Sequence, residues 1–353
     1  MGRLFYLRMG TPPASRWLFS PAVDLAAFGG SAALSFALLA VGWHLGLLDG
    51  HKSDTPEWTW VAAVLLVDVA HVWSTLFRVY LDPAEFRRRP GTYLLVPVAG
   101  LVVGVALYEA GPAVFWRCLA YLAVFHFVRQ QYGWVMLYRA KCGERTWRWL
   151  DAATIYLATL YPLVYWHAHL PRRFAWFLRG DFTELPAVCA EVLEPVYWLT
   201  LAAYFGRSLW RGVPNPGKDV VVLTTAACWY VGIVVFDSDY AFTVTNVVIH
   251  GVPYFVLVYW YRWVRGGPRP RGWHVRTAAG FVAVVWVLAF AEELLWDRLV
   301  WHDRDWLFGA GWDVRGWRWL LVPLLALPQL THYLLDGLVW RRRGNPGFTL
   351  GAS

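Results

Sequence analysis

Four histidines, His71, His126, His250 and His332, each lie near the middle of a long apolar stretch, and each has polar neighbours at helical spacing. Asp68 stands three residues before His71 and Thr75 four after it, while Arg129 and Gln130 follow His126 by three and four. Asn246 and Tyr254 flank His250 by four on either side, and Gln329 and Asp336 flank His332 by three and four. With about 3.6 residues per helical turn, each set shares one face. Neutral imidazole ligates iron, zinc or copper, and a metal-bound imidazole usually gives its other N–H to a carboxylate, amide or carbonyl. The pattern therefore predicts a metal site held by His71, His126, His250 and His332. Asp68, Asn246 and Asp336 would orient the rings, and Tyr254, Gln130 and Gln329 would line the cavity or handle a proton. Nearby carboxylates and an apolar setting favour iron (Fe2+), with zinc, copper or haem as alternatives. Polar stripes of this kind are costly in lipid, which makes them site candidates by default.

The elements that must position these residues are membrane helices. The chain has 353 residues, of which 58% are hydrophobic, 18% aromatic and only 16% charged. Soluble domains carry about 25% charged residues. Ten apolar runs are long enough, or nearly so, to span a bilayer: about 22–47, 58–82, 91–110, 112–138, 147–169, 191–212, 217–236, 240–264, 273–296 and 317–340. The net charge of +8 sits in short clusters beside these runs rather than in one patch, which excludes a nucleic-acid partner and points to membrane orientation. Arg87–Arg89, Arg139 to Arg148, Arg207 to Lys218, Arg262 to Arg276 and Arg341–Arg343 fall in alternate connections, and the intervening ones carry acids such as Asp54, Glu57, Asp237 and Asp239.

By the positive-inside rule both termini are then cytoplasmic, and the protein is integral to the cytoplasmic (inner) membrane. The expectation is one all-α transmembrane domain over 1–353, with a cytoplasmic N-terminal segment 1–21, helices over 22–340 and a cytoplasmic tail 341–353. The N-terminal segment lacks the pattern of a cleaved signal, so the first span acts as the insertion signal. The four histidines fall in the second, fourth, eighth and tenth spans, which all run in the same direction, so the rings can meet near the midplane.

The remaining polar and aromatic groups receive plainer readings. His44, His51, His167, His169, His274 and His302 lie at span ends or in links and read as solvated or interfacial. The four cysteines, Cys118, Cys142, Cys189 and Cys228, show no metal spacing, and Cys118 and Cys228 read as small buried residues. Many of the 25 tryptophans sit at span ends, as in an interfacial belt. Arg78 and Asp82, four apart, are expected to pair, and the stretch Glu292 to Arg315 reads as an acidic link. Arg129 is expected to snorkel, with pairing to Asp68 or Asp336 as the alternative. Pro253 and Pro328, beside site histidines, would kink their helices.

At IHGVPYF (Ile249 to Phe255), FHF (Phe125 to Phe127) and THYLLDG (Thr331 to Gly337) the chain resembles the Brp/Blh family of membrane β-carotene 15,15′-dioxygenases. The resemblance implies a polytopic protein that binds iron through intramembrane histidines and cleaves a polyene to retinal. His250 and His126 match the family's frames, and His332 with Asp336 is similar to its late His-plus-acid segment at a different spacing. Tyr254 stands where the family has a second histidine, and the acid near His71 precedes it. The resemblance thus supports a membrane histidine–iron oxygenase more than it supports carotene.

The expected function is a membrane-bound, metal-dependent oxidoreductase that uses O2 on a lipid-soluble substrate such as a carotenoid, isoprenoid or fatty chain. Two other readings stand beside it. One is a haem-binding electron-transfer protein, although no helix here carries two histidines about four turns apart. The other is a transporter whose midplane His and Asp groups relay protons or a solute.

Overall fold

In the computed structural model, residues 16–48, 55–267 and 270–341 are described. Among them all regular structure is helical. The helices relevant to the site are α1 (Pro21–His44), α2 (Glu57–Arg78), α3 (Pro83–Arg88), α4 (Pro90–Ala110), α5 (Pro112–Lys141), α6 (Arg148–Ala168), α7 (Ala187–Trp210), α8 (Pro216–Val235), α9 (Asp239–Val264), α10 (Arg271–Trp301), α11 (Asp305–Phe308), α12 (Arg318–Leu325) and α13 (Leu327–Val339). Much of the expected N-terminal segment and tail, together with His51, Asp54, Arg269, Arg342 and Arg343, lies outside the described residues.

Local sequence sets the helix starts. Proline stands at the first helical position of α1, α3, α4, α5 and α8, where its missing N–H costs nothing. Ser20, Asp82, Asn215 and Ser238 each accept a backbone N–H from the first turn of the helix that follows them. Gly111, at φ 144°, makes the sharp turn from α4 into α5.

Seven helices are long and apolar enough to cross a membrane by length and composition: α1, α2, α4, α7, α8, α9 and α10. Helices also occupy the other three expected spans without meeting that length and composition, and part of their polar content is turned inward while Arg117 and Arg129 on α5 are exposed. Arg139 on α5 and Asp151 on α6 are buried, as is His332 on α13. The last expected span is divided at Ala326 into α12 and α13, with Pro323 and Pro328 on either side of the break. Of the seven apolar helices, α9 is the most enclosed, as expected of the central element.

Each end of the bundle has its own fastening. At the end that carries the basic links, Asp151 on α6 is fully buried and meets Arg139 of α5, Arg207 of α7 at 2.8 Å and Lys218 of α8 at 3.0 Å. Glu144 adds a 2.6 Å bond from Lys218. At the opposite end Arg172 bonds Asp237 and the carbonyls of Ile233 and Phe236, and Arg304 bonds Glu57 at 2.9 Å.

Two expectations change here. Arg78 does not pair with Asp82, because Pro83 begins a new helix and the Asp82 carboxylate caps it through the N–H groups of Ala84 and Glu85. Arg78 turns instead to Glu85 at 2.8 Å and to the Val339 carbonyl at 2.9 Å, with its guanidinium 4.1 Å from the Tyr261 ring. Burial pushes the Glu85 carboxyl up, but the Tyr93 hydroxyl and the Arg78 and Arg88 guanidinia outweigh it and hold the group below the ordinary glutamate value. The supposed acidic link is also partly helix. α10 runs on to Trp301, so Glu292, Glu293 and Asp297 sit on it, and Glu292 is buried against the indole N–H groups of Trp73 and Trp296.

Asp151 is the shared anion of three cations, so its loss leaves buried charge unpaired. Asp151→Asn should lower the stability of the folded bundle by about 3–5 kcal/mol, read as a drop in Tm of the purified protein in mild detergent. An unchanged Tm would show that this fastening is dispensable.

Candidate metal centre

The four histidines come together from four different helices, α2, α5, α9 and α13, and all are buried, His250 and His332 completely. Their rings close a square: His71 to His250 is 4.6 Å between centroids, His250 to His126 5.1 Å, His126 to His332 4.6 Å and His332 to His71 4.9 Å. Neighbouring rings stand steeply to one another, at 63–89°. The common direction of the four spans, read from sequence, is consistent with this matched depth.

Close backbone approach makes the square possible. Gly251, next to His250, faces α2, and a Cβ there would stand 2.6 Å from Val67 Cγ1 and 3.2 Å from the Val67 carbonyl oxygen. Only glycine lets α9 come this near to α2, as small residues do at tight helix contacts in membranes. His71 and His250 then meet at 3.1 Å between their Nε2 atoms. Wide π-type turns precede both residues, over Trp60–Val69 in α2 and Thr243–Val247 in α9, and such turns often mark functional stretches.

Oxygen stands near three of the outer nitrogens, and one of these contacts, from Thr75, is a hydrogen bond. Thr75 Oγ1 lies 2.7 Å from His332 Nδ1, Asp336 Oδ2 4.0 Å from His126 Nδ1, and Asp68 Oδ1 3.6 Å from His71 Nδ1. His250 is fixed by stacking, its ring 3.5 Å from that of Phe127 and within 8° of parallel. Four buried ring nitrogens have no hydrogen-bond partner: His71 Nδ1, His126 Nε2, His250 Nδ1 and His332 Nε2. A buried, unpaired polar atom is costly, and so many in one place need an explanation.

A metal ion within the square would account for two of these nitrogens, His126 Nε2 and His332 Nε2, whereas His71 and His250 meet through Nε2 and turn Nδ1 away from that contact. Ligand atoms of His71, His126 and His332 lie within 4.8 Å of one another, as do those of Asp68, His71 and His250. Nitrogens bound about 2.1 Å from a shared ion stand roughly 3–3.5 Å apart, and the 3.1 Å contact of His71 and His250 falls in that range. The donor set fits a metal that accepts imidazole nitrogen, with carboxylates in the surrounding shell.

The supporting residues are arranged differently from the sequence expectation. Asp336 faces His126 rather than its own neighbour His332, whose Nδ1 is already taken by Thr75 from α2. It also accepts from the Tyr254 hydroxyl and, at 3.0 Å, from the Trp340 indole. Asn246 does not reach His250, because its amide donates to the Phe242 carbonyl and the Thr245 hydroxyl inside the wide-turn stretch. Gln130 donates to the His250 carbonyl at 3.3 Å, and its own Oε1 has no partner. Arg129 meets neither Asp68 nor Asp336 but bonds Tyr156 and lies over the Tyr132 ring. His167 is buried rather than solvated, bonded to the Leu163 carbonyl and Tyr121, whereas Cys118 is exposed on the face of α5.

Two cavities reach the square. The larger, about 550 Å³, is walled largely by aromatic rings and includes His71, Asp68, Gln329, Glu293 and Asp239. The smaller, about 190 Å³, is lined by His126, Gln130, Tyr254 and Asp336. Tyr333 borders both, and its ring stacks on His126 at 4.8 Å. Sequence reading missed Phe127, Tyr333, Trp340 and Glu293. Two of them carried a signal, since Phe127 follows His126 directly and Trp340 lies four residues after Asp336. Compared with known proteins, the chain matches no family model, no curated protein and no solved structure.

Proposed function

We propose that this protein is an integral-membrane metalloenzyme, a non-haem iron oxygenase acting on a lipid-soluble substrate, with His71, His126, His250 and His332 as the ligands. The carrying observation is the closed square of buried imidazoles with unpartnered nitrogens. The resemblance to the Brp/Blh dioxygenases supports the same class of chemistry. In this reading all ten helical regions cross the bilayer, with both termini on the cytoplasmic side, because the basic clusters fall in alternate connections along the chain.

Iron bound there would supply the redox chemistry with O2, and the chain supplies everything that shapes it. The Thr75 hydroxyl fixes the His332 ring through Nδ1, and the Asp68 and Asp336 carboxylates stand 3.6 and 4.0 Å from Nδ1 of His71 and His126, close but not bonded. Phe127 holds His250 flat and keeps water from its face. The Tyr254 hydroxyl donates to Asp336, so a proton is held beside the smaller cavity, with Gln130 on the same wall. On the other side Asp68 and Gln329 face the larger cavity and can pass protons to it.

Spacing supports an ion over haem, since rings that touch at 3.1 Å leave no room for a porphyrin between them. The second reading, a transporter, is favoured by one feature: the two cavities approach the histidines from different sides, with Asp68 and Glu293 in one and Asp336 in the other.

Elemental analysis of the full-length protein purified in mild detergent should find about one iron per chain, and His250→Ala and His332→Ala should each lose it by at least about tenfold while staying folded. Zinc or copper at the same stoichiometry would revise the metal. A folded protein with no metal in any preparation would overturn the reading in favour of the transporter.

Thr75→Val keeps the shape but removes the oxygen that orients His332. It should weaken metal affinity about 10- to 100-fold in competition with a chelator, and Thr75→Ser should retain most of it. Equal affinity in all three proteins would show that the hydroxyl does not position the ring.

A further inference from the structure

The smaller cavity is not sealed by protein. It lies between α5 and α13, and on its wall these helices present Gly133 and Gly337, each with open space where a Cβ would stand. Phe125 and Gly337 at its margin are exposed on the outer face of the bundle, and the inner wall is the ring of His126. The opening therefore runs sideways, from the lipid-facing surface to the square.

One charge at this opening is out of place. Arg129 is exposed one helical turn from His126, on a helix embedded in the bundle. Its partners are the Tyr156 hydroxyl and the Tyr132 ring, and among the described residues it forms no ion pair. An arginine facing lipid at this depth is costly unless an anion meets it. Arg341 lines the same cavity at its far end, and the lone acid there, Asp336, is turned inward to Tyr254 and Trp340. The larger cavity, by contrast, holds Asp68, Glu293 and Asp239, with Arg173 and Arg179 also on its wall, and three carboxylates suit water, protons and small co-reactants better than an anionic chain.

The geometry points to a lateral portal between α5 and α13 that admits a single-chain amphiphile with a carboxylate head, the head held by Arg129 and the apolar chain laid past Gly133 and Gly337 toward His126. This names the substrate class for the proposed oxygenase and rests on that reading only for what happens at His126. Binding itself requires no metal.

The test uses the full-length protein in mild detergent, titrated with cis-parinaric acid, a conjugated tetraene fatty acid, and with its methyl ester. Energy transfer from tryptophan reports binding, since Trp134 and Trp340 line the cavity. Gly133→Leu and Gly337→Leu, whose side chains enter open space, should each weaken binding of both probes by about tenfold or more. Arg129→Gln should weaken the acid by about tenfold and leave the ester unchanged. Metal content should be the same in all of these proteins. Unchanged binding in both leucine variants, or equal losses for acid and ester in Arg129→Gln, would overturn the portal. Protein that carries no metal but binds the acid in the expected pattern would uphold the portal and remove the oxygenase, and metal-loaded protein that binds neither probe would do the reverse.

Discussion

Four imidazoles must be kept polar, oriented and water-free inside an apolar bundle, and most of the architecture answers that requirement. A ring nitrogen has two ways to avoid the cost of burial, a hydrogen bond or a metal. Thr75 bonds Nδ1 of His332, His71 and His250 meet through Nε2, and on each of His71, His126, His250 and His332 one nitrogen is left without a hydrogen bond. No single helix can do this. Each ring comes from a different helix, and the orienting oxygen for His126 and for His332 comes from a helix other than the ring's own. The site is therefore also a clamp across the bundle, and its geometry depends on helix positions far from it.

Those positions are set at the ends. Arg78 spans the foot of α2, α13 and the short α3, bonding Glu85 and the Val339 carbonyl, and its guanidinium also lies 4.9 Å from the Trp340 ring. Trp340 in turn bonds Asp336, which faces His126. A connected path of packed and bonded groups thus joins the basic end of the bundle to the imidazole square. Asp151 and its three cations do the equivalent for α5 to α8, fixing the helix that carries His126 and Phe127.

Much of this was legible in the sequence. Composition gave the membrane class, and the apolar runs gave helices at every expected position. The four site histidines stood apart because they fell mid-run, with oxygen or nitrogen neighbours one turn away. What periodicity could not reveal was partnership between helices. Asp336 lies one turn from His332 in sequence and serves His126 instead, while Thr75 lies one turn from His71 and serves His332. A stripe on one helix shows which residues face inward but not which neighbour they face. Aromatic contacts were harder still, since Phe127 and Tyr333 look like ordinary core residues until the rings they stack on are placed. Hydropathy also ended α10 too early, at 296, because the acids Glu292, Glu293 and Asp297 resembled the start of a link when the helix runs on through them, with Glu292 and Asp297 buried.

The two cavities divide the surroundings of the square by chemistry. One is aromatic but carries three carboxylates, from Asp68, Asp239 and Glu293, and its roof is the segment that includes Arg173 to Arg179 near the acidic links. The other is bordered by glycines and opens between two helices at the outer surface of the bundle. A reaction that joins a water-borne or gaseous reactant to a chain dissolved in the bilayer needs such a separation, because each reactant must reach the same few ångströms from a different solvent. Tyr333 stands on the boundary, bordering both cavities and stacked on His126. Its ring stands between the two cavities beside His126, at the point where water from one side would otherwise reach an ion held in the square.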